Sequence, residues 1–137
     1  MAELRVVHEG DETLGETDTN RRILATNVDI ADSTLSQAKG LMFRSSLPEN
    51  YALVLEVDGD GLLPFPRGPS RHVVHMLFVR VSLDVIWLVE DEVTKVARMH
   101  PWRSIRTGKA DRILELPAGA ADEVSPGDIV RLEERPS

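Results

Sequence analysis

The chain has 137 residues, with 23 acidic side chains against 16 basic ones and a formal charge of −7. It contains no cysteine, which excludes disulfides, thiolate metal sites and thiol nucleophiles. No apolar run reaches the roughly 18 residues that a spanning helix needs, and the first ten residues lack the apolar core of a signal peptide. A cytoplasmic chain with no membrane attachment is therefore expected. The negative charge repels phosphate backbones, so nucleic acid is an unfavoured partner. Lysine occurs only at Lys39, Lys95 and Lys109. That shortage beside the acidic excess reads as a salt-adapted composition; the alternative is an ordinary acidic protein with a high-GC codon bias.

In chain order, Leu4 to His8 reads as a short strand and Glu9 to Asn20 as an acidic loop or arm. Residues 1–22 thus form an N-terminal strand and arm, 23–133 a single β-rich domain and 134–137 a tail. From Ile23 to Ile30 apolar and polar residues alternate, the period of a half-buried strand. Asp32 and Ser33 offer N-cap oxygens, and Thr34 to Lys39 fits about two helical turns before Gly40. Leu47 to Asn50 is a turn, and Tyr51 to Val57 alternates again. Asp58 to Ser70 is interrupted by Gly59, Gly61, Pro64, Pro66, Gly68 and Pro69, so it must be a loop. Its Leu62, Leu63 and Phe65 are expected to cover an end of the core or to form a contact surface. His72 to Val81 and Leu83 to Val89 are apolar and read as central strands. Glu90-Asp91-Glu92 is a hairpin tip, and Val93 to Met99 the return strand. Pro101 to Asp111 reads as a polar loop. Ile113 to Leu116 is a strand, and Ala120 to Val124 one helical turn. Ser125-Pro126-Gly127-Asp128 has strong turn chemistry, and Ile129 to Leu132 is the last strand. The pattern predicts a mainly β fold: a compact sandwich or barrel of short, largely antiparallel strands with one or two short helices.

Three blocks carry a family resemblance. They are Gly40-Leu41-Met42-Phe43-Arg44-Ser45-Ser46-Leu47-Pro48 after Ile30-Ala31-Asp32, then Leu83-Asp84-Val85-Ile86-Trp87-Leu88, then Leu114-Glu115-Leu116-Pro117-Ala118-Gly119 followed by Pro126-Gly127-Asp128. In these the chain resembles the domain-of-unknown-function family numbered one-nine-two. The resemblance implies a compact, mainly β fold with a short helix after the first family strand, and it implies no activity. Many relatives carry Trp-Met-Lys-Asn-Thr where this chain has His75-Met76-Leu77-Phe78-Val79, and proline where it has Ser82. The pattern of His75, Val79, Trp87 and Pro101-Trp102 resembles an archaeal-type branch.

Asp84 is the most informative single residue. Ser82, Asp84, Ile86 and Leu88 share one face of their strand, and Leu83, Val85, Trp87 and Val89 the other. Both faces are largely apolar, so the carboxylate is expected to be under half exposed and held by donors. Arg44 is a natural partner, because its planar fork grips a carboxylate with two bonds; backbone N–H groups are the other candidates. The pair is either a structural clamp or, in a pocket, an acid, base or ligand anchor. His72 and His75 point to opposite faces of a strand, and no set of three or four convergent zinc ligands can be assembled from the sequence. No metal and no cofactor are expected. Serine-nucleophile and phosphate-loop motifs are missing. Trp102 with Arg103, Arg106, Lys109 and Arg112 is the one basic cluster carrying an aromatic.

These features favour a non-enzymatic accessory or binding module. Its partner would be an unidentified protein or small ligand, seated on a surface of Arg44, Asp84, His75 and Trp102. One alternative is an enzyme using Asp84 and Arg44 in a pocket. The other is nucleic-acid binding through the Arg103–Arg112 loop.

Overall fold

The structure, a computed structural model, describes residues 3–10, 21–31, 47–56, 70–75, 82–100 and 105–135. They form ten strands: β1 (Glu3–Glu9), β2 (Arg21–Ala25), β3 (Asn27–Ala31), β4 (Tyr51–Glu56), β5 (Ser70–His75), β6 (Leu83–Val89), β7 (Glu92–Met99), β8 (Ile105–Ala110), β9 (Arg112–Pro117) and β10 (Ile129–Arg135). Eight make one sheet in the order β2-β1-β10-β7-β6-β9-β4-β3, and β5 pairs with β8 in a separate ribbon. All pairs are antiparallel except β3 with β4. The fold is mainly β and largely antiparallel, as the alternation predicts. The pairing itself is that of a single open sheet.

The expected strand from Ile23 to Ile30 is two strands. Thr26 and Asn27 both direct their backbone N–H groups to the carbonyl of Asn50, at 2.9 Å. The chain bends at that point, and the two halves go to opposite edges of the eight-stranded sheet. One residue therefore ties both edges together. No sequence period marks this, because the alternation on either side of Thr26 is undisturbed.

The sheet carries apolar residues on both faces. On β4, Tyr51, Leu53 and Leu55 join one cluster, and Ala52 and Val54 the other. On β6, Leu83, Val85 and Trp87 oppose Ile86 and Leu88, the division that strand periodicity predicts. The first cluster includes Ala110 of β8. The second takes in Val6, Ala25 and Val130 from β1, β2 and β10, with Ala121 and Val124 from the β9–β10 connection.

Two further expectations are corrected. The segment from Pro101 to Asp111 is not wholly a loop, since Ile105–Ala110 is a strand paired with β5 from Ser70↔Ala110 to His75↔Ile105. Its residues look polar because the pairing, rather than an apolar face, gives it a place. Gly108 lets it approach Trp87 closely: a Cβ there would lie 2.8 Å from the ring Cγ and Cδ1. Ala120 to Val124 forms successive turns, with Ala120 N donating to Pro117 O and Val124 N to Ala121 O. No helix occurs among the described residues. The expected helix at Thr34–Lys39 and the expected lid at Asp58–Ser70 fall outside them, apart from Ser70.

The tight turns follow their chemistry. Glu90 and Asp91 have φ of 49° and 67°, the left-handed pair of a tight hairpin turn. In the last turn Pro126 precedes Gly127, whose φ is 95°, and Asp128 N donates to Ser125 O at 3.1 Å. That is the arrangement of a type II turn.

Gly108→Ala should drive a methyl into a fully buried indole. Overpacking of this kind costs about 1–3 kcal/mol, read as a lowered urea midpoint with an unchanged slope. An unaltered midpoint would mean that β8 does not cross Trp87 as described.

Candidate functional site

Asp84 lies on β6, three strands from the nearer edge of the sheet, and is 3% exposed. Its Oδ2 accepts the backbone N–H groups of Gly119 and Ala121, each at 2.9 Å. Its Oδ1 accepts Arg98 Nε at 2.9 Å. Arg98, on β7, also grips Asp122 through Nη2. These contacts raise the Arg98 guanidinium above its ordinary value, first through the Asp84 hydrogen bond and then through that of Asp122. The carboxylate is buried and bound by backbone donors, as expected. Arg44 lies outside the described residues, and the guanidinium seen on Asp84 is that of Arg98.

The local sequence explains the geometry. Pro117 ends β9 because it cannot continue a ladder, and Gly119 takes φ of 100°. The connection then folds back so that two N–H groups converge on one oxygen. Asp84 thus pins the Pro117-to-Val124 connection to the middle of the sheet. Among the described residues it touches no open space that a substrate could share.

A second acidic anchor holds the other end of this connection. Asp128 Oδ2 accepts His8 Nε2 at 2.8 Å and Ser125 N at 3.0 Å. Because the carboxylate only accepts, Nε2 carries the hydrogen. Among the described residues His8 Nδ1 is buried without a partner. His8 and Asp128 are 4% and 7% exposed, so the pair acts as an internal clasp between β1 and the last turn.

Glu115 is treated differently. It sits in the middle of β9, directly opposite Leu53 and Val85. Among the described residues its carboxyl accepts no hydrogen bond and joins no ion pair. It keeps a partial route to solvent, yet the protein packed around it lifts its pKa from 4.5 to about 7 through desolvation. Sequence reasoning missed this residue, although a lone Glu in Ile113-Leu114-Glu115-Leu116 was a visible signal.

The remaining candidates separate. His75 is on β5, where only the backbone is described, and Trp102 and Arg103 lie outside the described residues. Arg112 is engaged by Glu56 at 3.2 Å and Asp91 at 3.3 Å. That leaves less free positive charge for a nucleic-acid stripe. An open cleft of about 420 Å³ lies where the two sheet edges meet, lined by Arg22, Ile23, Leu24, Glu49, Asn50, Pro117 and Ala120. Ile23 is 51% exposed there.

Asp84→Ala should strand the buried Ala121 N–H at roughly 1–3 kcal/mol and release that of the exposed Gly119 to water, a loss read in urea unfolding. Arg98→Ala should cost a small fraction of that, because its side chain is 45% exposed and water replaces it. Equal losses for the two variants would show that the ion pair, not the backbone bonds, holds the connection.

Glu115 makes stability depend on pH. Its raised pKa means that the folded state holds the proton more tightly than the unfolded chain. Its contribution is complete below about pH 4.5 and is lost as pH rises through about 7. The ionised form costs up to ~3 kcal/mol. Glu115→Gln, which mimics the protonated form, should raise the thermal midpoint at pH 8.5 and leave it nearly unchanged at pH 4.5. Equal effects at both pH values would contradict this.

The comparisons agree on the fold. A protein of unknown function from Novosphingobium aromaticivorans DSM 12444 superposes with a TM-score of 0.70 at 23% identity, covering 93% of this chain and 83% of its own. A candidate transcription regulator from Sinorhizobium meliloti 1021 superposes with a TM-score of 0.72 at 22% identity, covering 97% and 94%. No curated protein sequence matches the chain. The model of the DUF192 family, described as "Uncharacterized ACR", matches residues 15–132. With most of its length matched by that model, the chain belongs to the DUF192 family.

Proposed function

We propose that this protein is a non-enzymatic binding module of the cytoplasm, and that its partner, a protein or small ligand, seats on the cleft where the two edges of the sheet meet. The observation that carries this reading is the use made of Asp84. The carboxylate best placed by the sequence to act as an acid or base is occupied by Gly119, Ala121 and Arg98. It serves as an anchor for the connection whose Pro117 and Ala120 form one wall of the cleft. The opposite wall offers Ile23, an apolar side chain kept half in water between Arg22 and Leu24. An apolar anchor with a charged rim is the ordinary anatomy of a recognition surface. The surface of Arg44, His75 and Trp102 belongs to the same reading.

Within this proposal the sheet, tied edge to edge at Thr26, is a barrel, and the acidic composition fits an archaeal-type branch of the family. The regulatory role named for the Sinorhizobium protein is not carried over, since the likeness at 22% identity is one of fold.

The test is a fragment screen by amide NMR on the full chain. Shifts should concentrate at Arg22 to Leu24, Asn50 and Ala120, and Ile23→Asp should abolish them without lowering the thermal midpoint, because Ile23 is exposed. Hits that leave these amides unmoved, or that survive Ile23→Asp, would defeat the proposal.

A further inference from the structure

β2 ends the eight-stranded sheet, paired with β1 on one side and, among the described residues, with no strand on the other. The ladders fix which backbone groups it leaves free. His8 of β1 lies between Val130 of β10 and Arg22 of β2. Val130 N donates to Asp91 O, towards β7 and away from β1, so the His8–Val130 pair exchanges no backbone bonds. His8 therefore exchanges its bonds with Arg22, and the alternation turns the N–H and C=O of Ile23 outward. The bulge comes after Ile23, which still faces Val7 in register, and does not disturb the count. Among the described residues neither backbone group of Ile23 has a hydrogen-bond partner.

This free edge opens into the cleft. Arg22, Ile23 and Leu24 all line it. Side chains alternate between the two faces of a strand, so a hollow lined by three in succession lies along the edge and not over a face. Beyond Thr26 the chain is paired by β4, from Asn27↔Tyr51 onward. The line of β4 does not extend back beside β2. Asn50 takes φ of 58° and turns the chain, and Pro48 has no N–H to give a ladder. A strand laid beside β2 would take the cleft itself, between Ile23 and the wall of Pro117 and Ala120. The Ile23 side chain, 51% exposed, stands ready for an apolar neighbour. Arg22 and Glu49 border the same space and form no ion pair among the described residues, whereas Arg21 is tied back to Glu133.

We infer that the cleft takes an extended segment of a partner protein, which pairs as an added strand on the free edge of β2. The inference rests on the cleft being the recognition surface and names the class of partner. One residue of the segment accepts from Ile23 N–H and donates to Ile23 C=O. Alternate side chains of the segment lie beside Ile23 and are aliphatic. Those between them share the face of Arg22, where an acidic residue is favoured, and a basic residue suits Glu49 at the Asn50 end. Charges at a sheet edge discourage indiscriminate pairing, so here they select among extended segments.

The experiment titrates the full chain, labelled with ¹⁵N, with the acetylated and amidated peptide Lys-Val-Glu-Val-Thr. In the free chain the Ile23 amide should exchange rapidly while that of Arg22 is protected. Bound peptide should shift the amides from Arg22 to Leu24 and slow exchange at Ile23. An analogue methylated on the valine and glutamate nitrogens keeps every side chain but loses those donors, and should bind about tenfold more weakly or worse. Ile23→Pro removes the outward N–H and spares the ladder to β1; it should keep the fold and weaken the peptide by a similar factor, while Ile23→Val retains it. Protection of Ile23 in the free chain would show that the chain already pairs this edge, and would overturn the inference. So would a peptide that does not bind. Equal binding of the methylated analogue, with shifts still at Arg22 to Leu24, would refute strand pairing and leave the cleft a surface for side chains or small molecules. Cleft amides that neither peptide nor fragments move would defeat both readings. The methylated peptide decides the matter should Ile23→Pro fail to fold.

Discussion

The carboxylate of Asp84 is the constraint around which this molecule is arranged. It sits on the strand that pairs with both β7 and β9, and one oxygen collects two backbone N–H groups from the connection that leaves β9. Those N–H groups belong to a turn that has left the ladder, and without the carboxylate that of Ala121 would be a buried donor with no acceptor. A buried charge is ordinarily a liability. Here its desolvation is offset by hydrogen bonds from Gly119, Ala121 and Arg98, and it converts an irregular segment into part of the core, where Ala121 and Val124 pack with Ile86 and Leu88.

The same segment is held at its far end by a second acid. Asp128 accepts both the N–H that closes its own turn and the His8 ring from β1. Each anchor is paired with a glycine in the left-handed region: Asp84 accepts the N–H of Gly119, and Asp128 directly follows Gly127. The third family block, which holds both glycines, is therefore explained as architecture. Its Asp128 and glycine residues position backbone, and the apolar residues between them bury it. Glu115, in the same block, accepts no hydrogen bond among the described residues.

Thr26 gives the sheet its overall form. Strands at opposite edges of a sheet are usually joined by long connections, whereas here one residue separates them. Asn50 takes both free N–H groups at this corner with a single carbonyl, which lets the chain turn without leaving a donor unpaired. The cleft lined by Ile23, Asn50 and Pro117 is a direct result of bringing these edges together.

What the amino-acid order determined by itself was local. The division of β4 and β6 into two apolar faces follows from a side-chain period of two. The hairpin tip at Glu90-Asp91 and the turn at Pro126-Gly127 follow from backbone preferences that act over four residues. The burial of Asp84 followed from apolar neighbours on its own strand. The partner of Asp84 was decided by tertiary structure. A hairpin counted evenly from Val89↔Glu92 sets Asp84 opposite Ala97; the bulge between Trp87 and Leu88 inserts Thr94, moves the register by one, and brings Arg98 into place, with Lys95 opposite Trp87. β8 was likewise illegible, because a strand made by pairing with β5 and by a glycine against an indole has no apolar period to read. The split at Thr26 depends on a carbonyl 24 residues away in the chain. The state of Glu115 depends on which strands lie to either side of β9. Each of these is a long-range pairing, and a pattern confined to neighbours in sequence cannot encode which strand lies alongside.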